Sequence, residues 1–221
     1  RSGKKEFGAP PSSIAFSPDG QWLYATGYVW RKGHRRLDAL PVVTRMEYAG
    51  DKGPERWVGS LDADGHGDGK EQLRHPTAVS VDGKGRVYVC DYMNSRVQVF
   101  SPDAALVASI ETPYPADIKI HPETGECFVF SWGIGNWHWM QRKGKRAVTP
   151  TLIRFSAFPE FKKGASYSLP AMRQTFGVNA VKNNGPLNSH QVAIDFWAKP
   201  MTLWFLMPHT YMMQANLMDP K

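Results

Sequence analysis

Two stretches of the chain gather side chains suited to hold a charged partner. Tyr28–Leu40 carries Trp30, Arg31, Lys32, His34, Arg35 and Arg36. Trp132–Pro150, WGIGNWHWMQRKGKRAVTP, sets Trp132, Trp137, His138 and Trp139 ahead of Arg142, Lys143, Lys145 and Arg146. Aromatic faces stack on bases or sugar rings, and closely spaced cations neutralise phosphate or sulfate. Three readings stay open for these residues: contact with a polyanion such as RNA or an acidic polysaccharide, contact with a protein or peptide, or tryptophans packed on their own sheet beneath solvated cations. A net charge of +7 and a pI near 9.4 favour an acidic partner without choosing among them.

His190 is the third candidate, because Ser189–Asp195, SHQVAID, places it just ahead of a short apolar run. One histidine does not make a metal site, which needs about three protein ligands. The positions that correspond to it earlier in the chain, Ser13, Thr77 and Ala116, are not ligands. In Ser60–Arg74, Asp62, Asp64 and Asp68 have part of a calcium-loop spacing, but His66 and Leu73 stand where an EF-hand places an oxygen ligand and a Glu. That stretch reads as a linker. No resident cofactor is expected, with zinc and calcium as the only candidates. Serine-hydrolase elbows, P-loops, dinucleotide fingerprints and paired-Cys zinc motifs are missing. The acids Asp91, Asp117 and Asp195 show no sign of converging, and Met201, Met207, Met212, Met213 and Met218 read as apolar filling.

What positions these residues is clearest in His75–Glu111. Four short apolar runs, Ala78–Val81, Val87–Cys90, Val97–Phe100 and Leu106–Ile110, are separated by Asp, Gly, Asn, Ser and Pro. Alternating β-branched and aromatic residues cut by turn formers predict antiparallel strands. Four strands joined by tight turns make a meander the size of one propeller blade.

The same stretch resembles an NHL repeat. The residues that carry the resemblance are Pro76, Val79, Val81, Asp82, Gly85, Val87, Tyr88, Val89, Asp91, Asn94, Arg96, Val97, Val99 and Phe100. The resemblance implies an all-β, NHL-like β-propeller of four-stranded antiparallel blades, six when complete, with this chain a fragment of it. It also points towards an extracytoplasmic or secreted setting. The chain then divides as one propeller domain over 1–221, with blades at about 7–74, 75–112, 113–189 and an incomplete 190–221. Blade three is expected to lack polar bracing, because Ser131 replaces the Asp91 equivalent and no Asn-x-Arg follows.

Further strands are predicted at Ser13–Phe16, Trp22–Thr26, Val42–Tyr48 and Glu55–Val58, with blade one beginning near Phe7. Others are predicted at Asp117–Ile120, Glu126–Phe130, Leu152–Phe155, Tyr167–Leu169, Val192–Ile194, Leu203–Met207 and Met212–Leu217. In a four-stranded meander, the loop from strand two to three leaves the same end as the crossover to the next blade. Both long insertions are two-to-three loops, so both should rise from one face, where long loops on a rigid scaffold tend to carry function. Cys90 and Cys127 fall in second strands of neighbouring blades and are expected to be buried free thiols. No apolar run is long enough to span a bilayer.

The favoured function is a non-enzymatic scaffold that contacts its ligand through the basic-aromatic loop face. The alternative is a lyase or hydrolase working at the mouth of the central channel, metal-dependent or not. It rests on His190, which resembles the P-H-G-x-x-x-D histidine of propeller lyases such as peptidyl-hydroxyglycine lyase, where such histidines bind zinc.

Overall fold

The structure, a computed structural model, describes residues 5–7, 11–27, 29–31, 40–133, 149–169, 192–206 and 212–217. These residues form an all-β chain with short 3-10 turns at Ala63–Gly65 and Tyr92–Asn94. No helix among them is long and apolar enough to cross a membrane.

The chain opens with β1 (Lys5–Phe7). The first blade follows as β2 (Ser13–Phe16) and β3 (Trp22–Thr26), then, after β4 (Val29–Arg31), as β5 (Val42–Glu47) and β6 (Glu55–Gly59). The second blade is β7 (Pro76–Val81), β8 (Val87–Asp91), β9 (Arg96–Phe100) and β10 (Leu106–Glu111). The third is β11 (Pro115–Ile120), β12 (Cys127–Ser131), β13 (Thr151–Phe155) and β14 (Lys163–Ser168). Last come β15 (Val192–Asp195), β16 (Met201–Leu206) and β17 (Met212–Leu217). Each group is an antiparallel meander with sequential strands adjacent, four-stranded in the first three and three-stranded among the described residues of the last.

Three apolar layers lie between successive sheets. Tyr24, Val43, Trp57 and Val58 of the first pack on Val79, Val87, Val89 and Phe100 of the second. Ala78, Tyr88, Cys90 and Val97 pack on Ile118, Cys127, Val129 and Ile153 of the third. Phe128, Phe130 and Leu152 pack on Val192, Leu203 and Phe205 of the fourth. The second and third sheets are therefore covered on both faces. For this reason VYVCD of β8 and CFVFS of β12 are buried at every position, instead of alternating. Each large apolar side chain so enclosed contributes about 1.5–3 kcal/mol. Polar bonds reinforce the layers at the far end. Asp82 accepts from Arg86 Nε at 2.6 Å and from Tyr88 OH at 3.0 Å, and the Arg86 guanidinium lies 4.1 Å from the Phe158 ring of the next sheet.

Several expected details change. The inner strand of the first sheet is Ser13–Phe16, as expected, while Lys5–Phe7 pairs with Val29–Arg31 in a separate two-stranded ribbon. The first insertion thus opens with a strand. The outer strand of the third sheet is Lys163–Ser168, not Tyr167–Leu169. It lies at the solvent edge with polar and small residues, so no apolar run marks it. The inner strands of the second and third sheets start earlier, at Pro76 and Pro115. In both, the register shifts next to that proline. Register shifts also occur where each outer strand meets its neighbour, at Val43/Thr44, Leu106/Ala108 and Ile153/Phe155.

Candidate binding face

One set of hydrogen bonds, repeated in three sheets, fixes the end from which the two-to-three loops leave. Ser60 N–H donates to Pro41 O at 2.8 Å, Thr112 N–H to Ser95 O at 3.0 Å, and Leu169 N–H to Pro150 O at 2.9 Å. Each acceptor directly precedes a third strand, and each donor directly follows an outer strand. The loop root and the exit to the next sheet are therefore clamped together. In the first sheet the clamp requires Gly59: its φ is +81°, and a Cβ there would lie 2.1 Å from Pro41 O.

A second set of bonds crosses between sheets. Thr26 Oγ1 donates to Thr77 O at 3.2 Å, Thr77 Oγ1 donates to Pro115 O at 3.0 Å, and Pro115 is paired with Ser131. Thr26 leads into the first long loop and Ser131 into the second, so the roots of both leave the same end.

Beside the second root lies an aromatic group. Tyr92 is buried, and its hydroxyl donates to Trp132 O at 3.1 Å. Its ring meets those of His75 and Tyr114, with centroids 6.1 and 5.6 Å away. His75 and Tyr114 each precede the proline that begins an inner strand, and both have left-handed backbones, with φ of 61° and 46°. Such conformations cost bulky residues about 1–3 kcal/mol and persist only where surrounding contacts impose them. Trp132 is also buried, and its Nε1 has no hydrogen-bond partner among the described residues.

The Gly- and Asp-rich connector into the second sheet is stapled to this end by one carboxylate and one guanidinium. Asp91 accepts from Arg74 N–H at 2.6 Å, Asn94 Nδ2 at 2.7 Å and Arg96 Nε at 2.8 Å. Arg96 also reaches the carbonyls of Asp68, Gly69 and Gln72 at 2.8–2.9 Å, and Asn94 Nδ2 reaches Gly67 O at 2.7 Å. Those connector carbonyls thus face a guanidinium. Burial pushes the Asp91 carboxyl up in pKa, and its bonds to Arg74 N–H, Asn94 and Arg96 pull it back. In the third sheet Ser131 holds the Asp91 position. It is buried and its hydroxyl has no partner among the described residues, so the brace is missing there.

Asp117, on the inner strand of the third sheet, is buried with Lys119 Nζ at 3.0 Å. Burial raises its pKa, and Lys119 opposes the rise. Cys90 and Cys127 are free and buried. Burial drives the Cys90 thiol well up and pushes Cys127 up to about 12, so both are protonated at neutral pH and poor nucleophiles.

Of the residues singled out in the sequence, Arg31 ends β4. Lys32, Arg35, Arg36, Trp137, His138, Trp139, Arg142, Lys143, Lys145, Arg146 and His190 lie outside the described residues. No group of three or more His, Cys, Asp or Glu among the described residues could hold a metal ion. The sequence reading missed the Tyr92 group. Its one signal was a ring-bearing residue before proline, His75-Pro76 and Tyr114-Pro115, at matching places in two sheets.

The bracing residues Asp91, Asn94 and Arg96 fall in a segment, residues 73–100, that matches the family model for the NHL repeat. The chain carries an NHL repeat. No relative matches among curated protein sequences. In three dimensions the chain is similar to hydrazine synthase from Kuenenia stuttgartiensis, with a TM-score of 0.53 and 17% identity over 93% of this chain and 46% of that one. It thus spans about half the length of that protein. It is also similar to a regucalcin, a calcium-binding protein from Agrobacterium tumefaciens (TM-score 0.42, 14% identity, 62% of this chain and 43% of that one). A third similarity is to a gluconolactonase from Xanthomonas campestris (TM-score 0.37, 21% identity, 54% and 34%). The NHL segment and the first of these likenesses agree with the antiparallel sheets in giving an all-β, propeller-type fold. A fold of this type does not name an activity.

Proposed function

We propose that this NHL-repeat chain is a binding scaffold that holds an acidic partner on the face from which its two-to-three loops leave. One observation carries the reading: the roots of the two basic-aromatic loops share an end, tied by the bonds from Thr26 to Thr77 and from Thr77 to Pro115, which is paired with Ser131. Sequence then supplies the contacts: Arg31, Lys32, Arg35 and Arg36 on one loop, and Trp137, His138, Trp139, Arg142, Lys143, Lys145 and Arg146 on the other. The cations set the charge of the ligand, and the tryptophans offer platforms for bases, sugar rings or apolar side chains.

The test replaces Arg142, Lys143, Lys145 and Arg146 together with Ala. Binding of a single-stranded RNA oligonucleotide and of heparin is measured across a salt series. For RNA the slope of log K against log salt should fall by about 0.7 per lost phosphate contact, nearly 3 if all four cations engage. Equal affinity and equal slope for the wild type and the variant would remove the proposal.

A further inference from the structure

We infer that Tyr92 is a positioning residue for the second loop, tying the loop root in the third sheet to the second sheet. This rests on the loop-face reading for its link to binding, but the tether itself can be tested separately. The hydroxyl of Tyr92 donates to the carbonyl of Trp132, 40 residues away in sequence and in the next sheet. The donor is enclosed: Tyr92 is buried, sits in the 3-10 turn Tyr92–Asn94, and its ring contacts those of His75 and Tyr114. Met93 N–H also donates to Arg74 O at 3.1 Å, fixing that turn on the incoming connector. The acceptor is the first residue of the loop after β12. The loop's other root is held independently, by Leu169 N–H on Pro150 O. Among the described residues the third sheet has no carboxylate-guanidinium brace at this corner, because Ser131 stands where the second has Asp91. Tyr92 supplies from the neighbouring sheet a restraint on that root. A buried hydroxyl of one sheet that holds this carbonyl in the next fixes the position of Trp132, where the loop starts.

Tyr92→Phe removes the hydroxyl and keeps the ring packing. Tyr88→Phe is the control, since it deletes another buried hydroxyl, the one on Asp82 Oδ2 at 3.0 Å, away from the loop root. Arg142, Lys143, Lys145 and Arg146 are trypsin sites within the loop. Cleavage at residues 142–146, in full-length chains matched for folding by circular dichroism, should be about fivefold faster in Tyr92→Phe than in the wild type. It should be unchanged in Tyr88→Phe. The Kd for a heparin oligosaccharide of fixed length should rise about fivefold with its salt slope unchanged, because no cation is lost. Equal cleavage in Tyr92→Phe and the wild type, or equal acceleration in both variants, overturns the inference. A wild-type chain that does not bind heparin counts against the polyanion reading alone, while the cleavage comparison still decides the tether.

Discussion

Replacing Arg96 with Ala probes how the connector is held to the second sheet. The Arg96 side chain is 14% exposed and its partner Asp91 is fully buried, so the pair at 2.8 Å is shielded from water. Removing one member of a buried pair leaves the other charge uncompensated, at a cost of about 3–5 kcal/mol. Asp91 keeps its bonds from Arg74 N–H and Asn94 in the variant, which places the expected loss at the lower end, about 3 kcal/mol. The carbonyls of Asp68 and Gln72 lie where water replaces the guanidinium and add little. A loss of about 3 kcal/mol is a large part of the 5–15 kcal/mol that holds a typical domain folded. In a chain of this size it lowers the melting midpoint by about 6–12 °C. Urea unfolding followed by tryptophan fluorescence is the assay, with a lower midpoint at unchanged slope as the expected result. Arg96→Lys should recover less than half, since one ammonium does not match the fork geometry of the four acceptors. A loss below about 1 kcal/mol in Arg96→Ala would place the pair among ordinary surface salt bridges and refute the reasoning.

Two further outcomes follow from the same geometry. Burial raises the pKa of Asp117 above the ordinary carboxyl value. The folded state therefore binds that proton more tightly than the unfolded state. Its stabilising contribution is complete below the unfolded pKa and is lost as pH rises through the folded one. Asp117→Asn should flatten the decline in wild-type stability above pH 4, measured as urea midpoints from pH 4 upward; an unaltered decline assigns it to other groups. Gly59→Ala places a Cβ against Pro41 O at a φ of +81° and should cost about 2 kcal/mol or more, and a neutral result would mean that the clamp relaxes freely.

How much of this was readable beforehand depends on the element. The strands of His75–Glu111 follow from apolar runs cut by Asp82-Gly83-Lys84-Gly85, Asp91–Ser95 and Ser101-Pro102-Asp103, because a buried strand between two sheets must be apolar and must end at turn formers. The outer strand Lys163–Ser168 lies ahead of the predicted Tyr167–Leu169 because its residues, KGASYS, are mostly small and polar and carry no apolar run. The pairing of Lys5–Phe7 with Val29–Arg31 is non-local, and neither segment has enough residues to show a period. The common end of the two loop roots was deducible from strand alternation. The part played by Tyr92 was not, because its partner is a backbone carbonyl in another sheet, and every residue offers one.

The register shifts at the outer strands have a consequence for assembly. A smooth outermost strand offers an incoming chain an even ladder of donors and acceptors, and adjacent propellers could then zip together rim to rim. Val43/Thr44, Leu106/Ala108 and Ile153/Phe155 each break the spacing of that ladder and twist the rim locally. Edge-to-edge pairing along the outer strands of the described sheets is thereby discouraged.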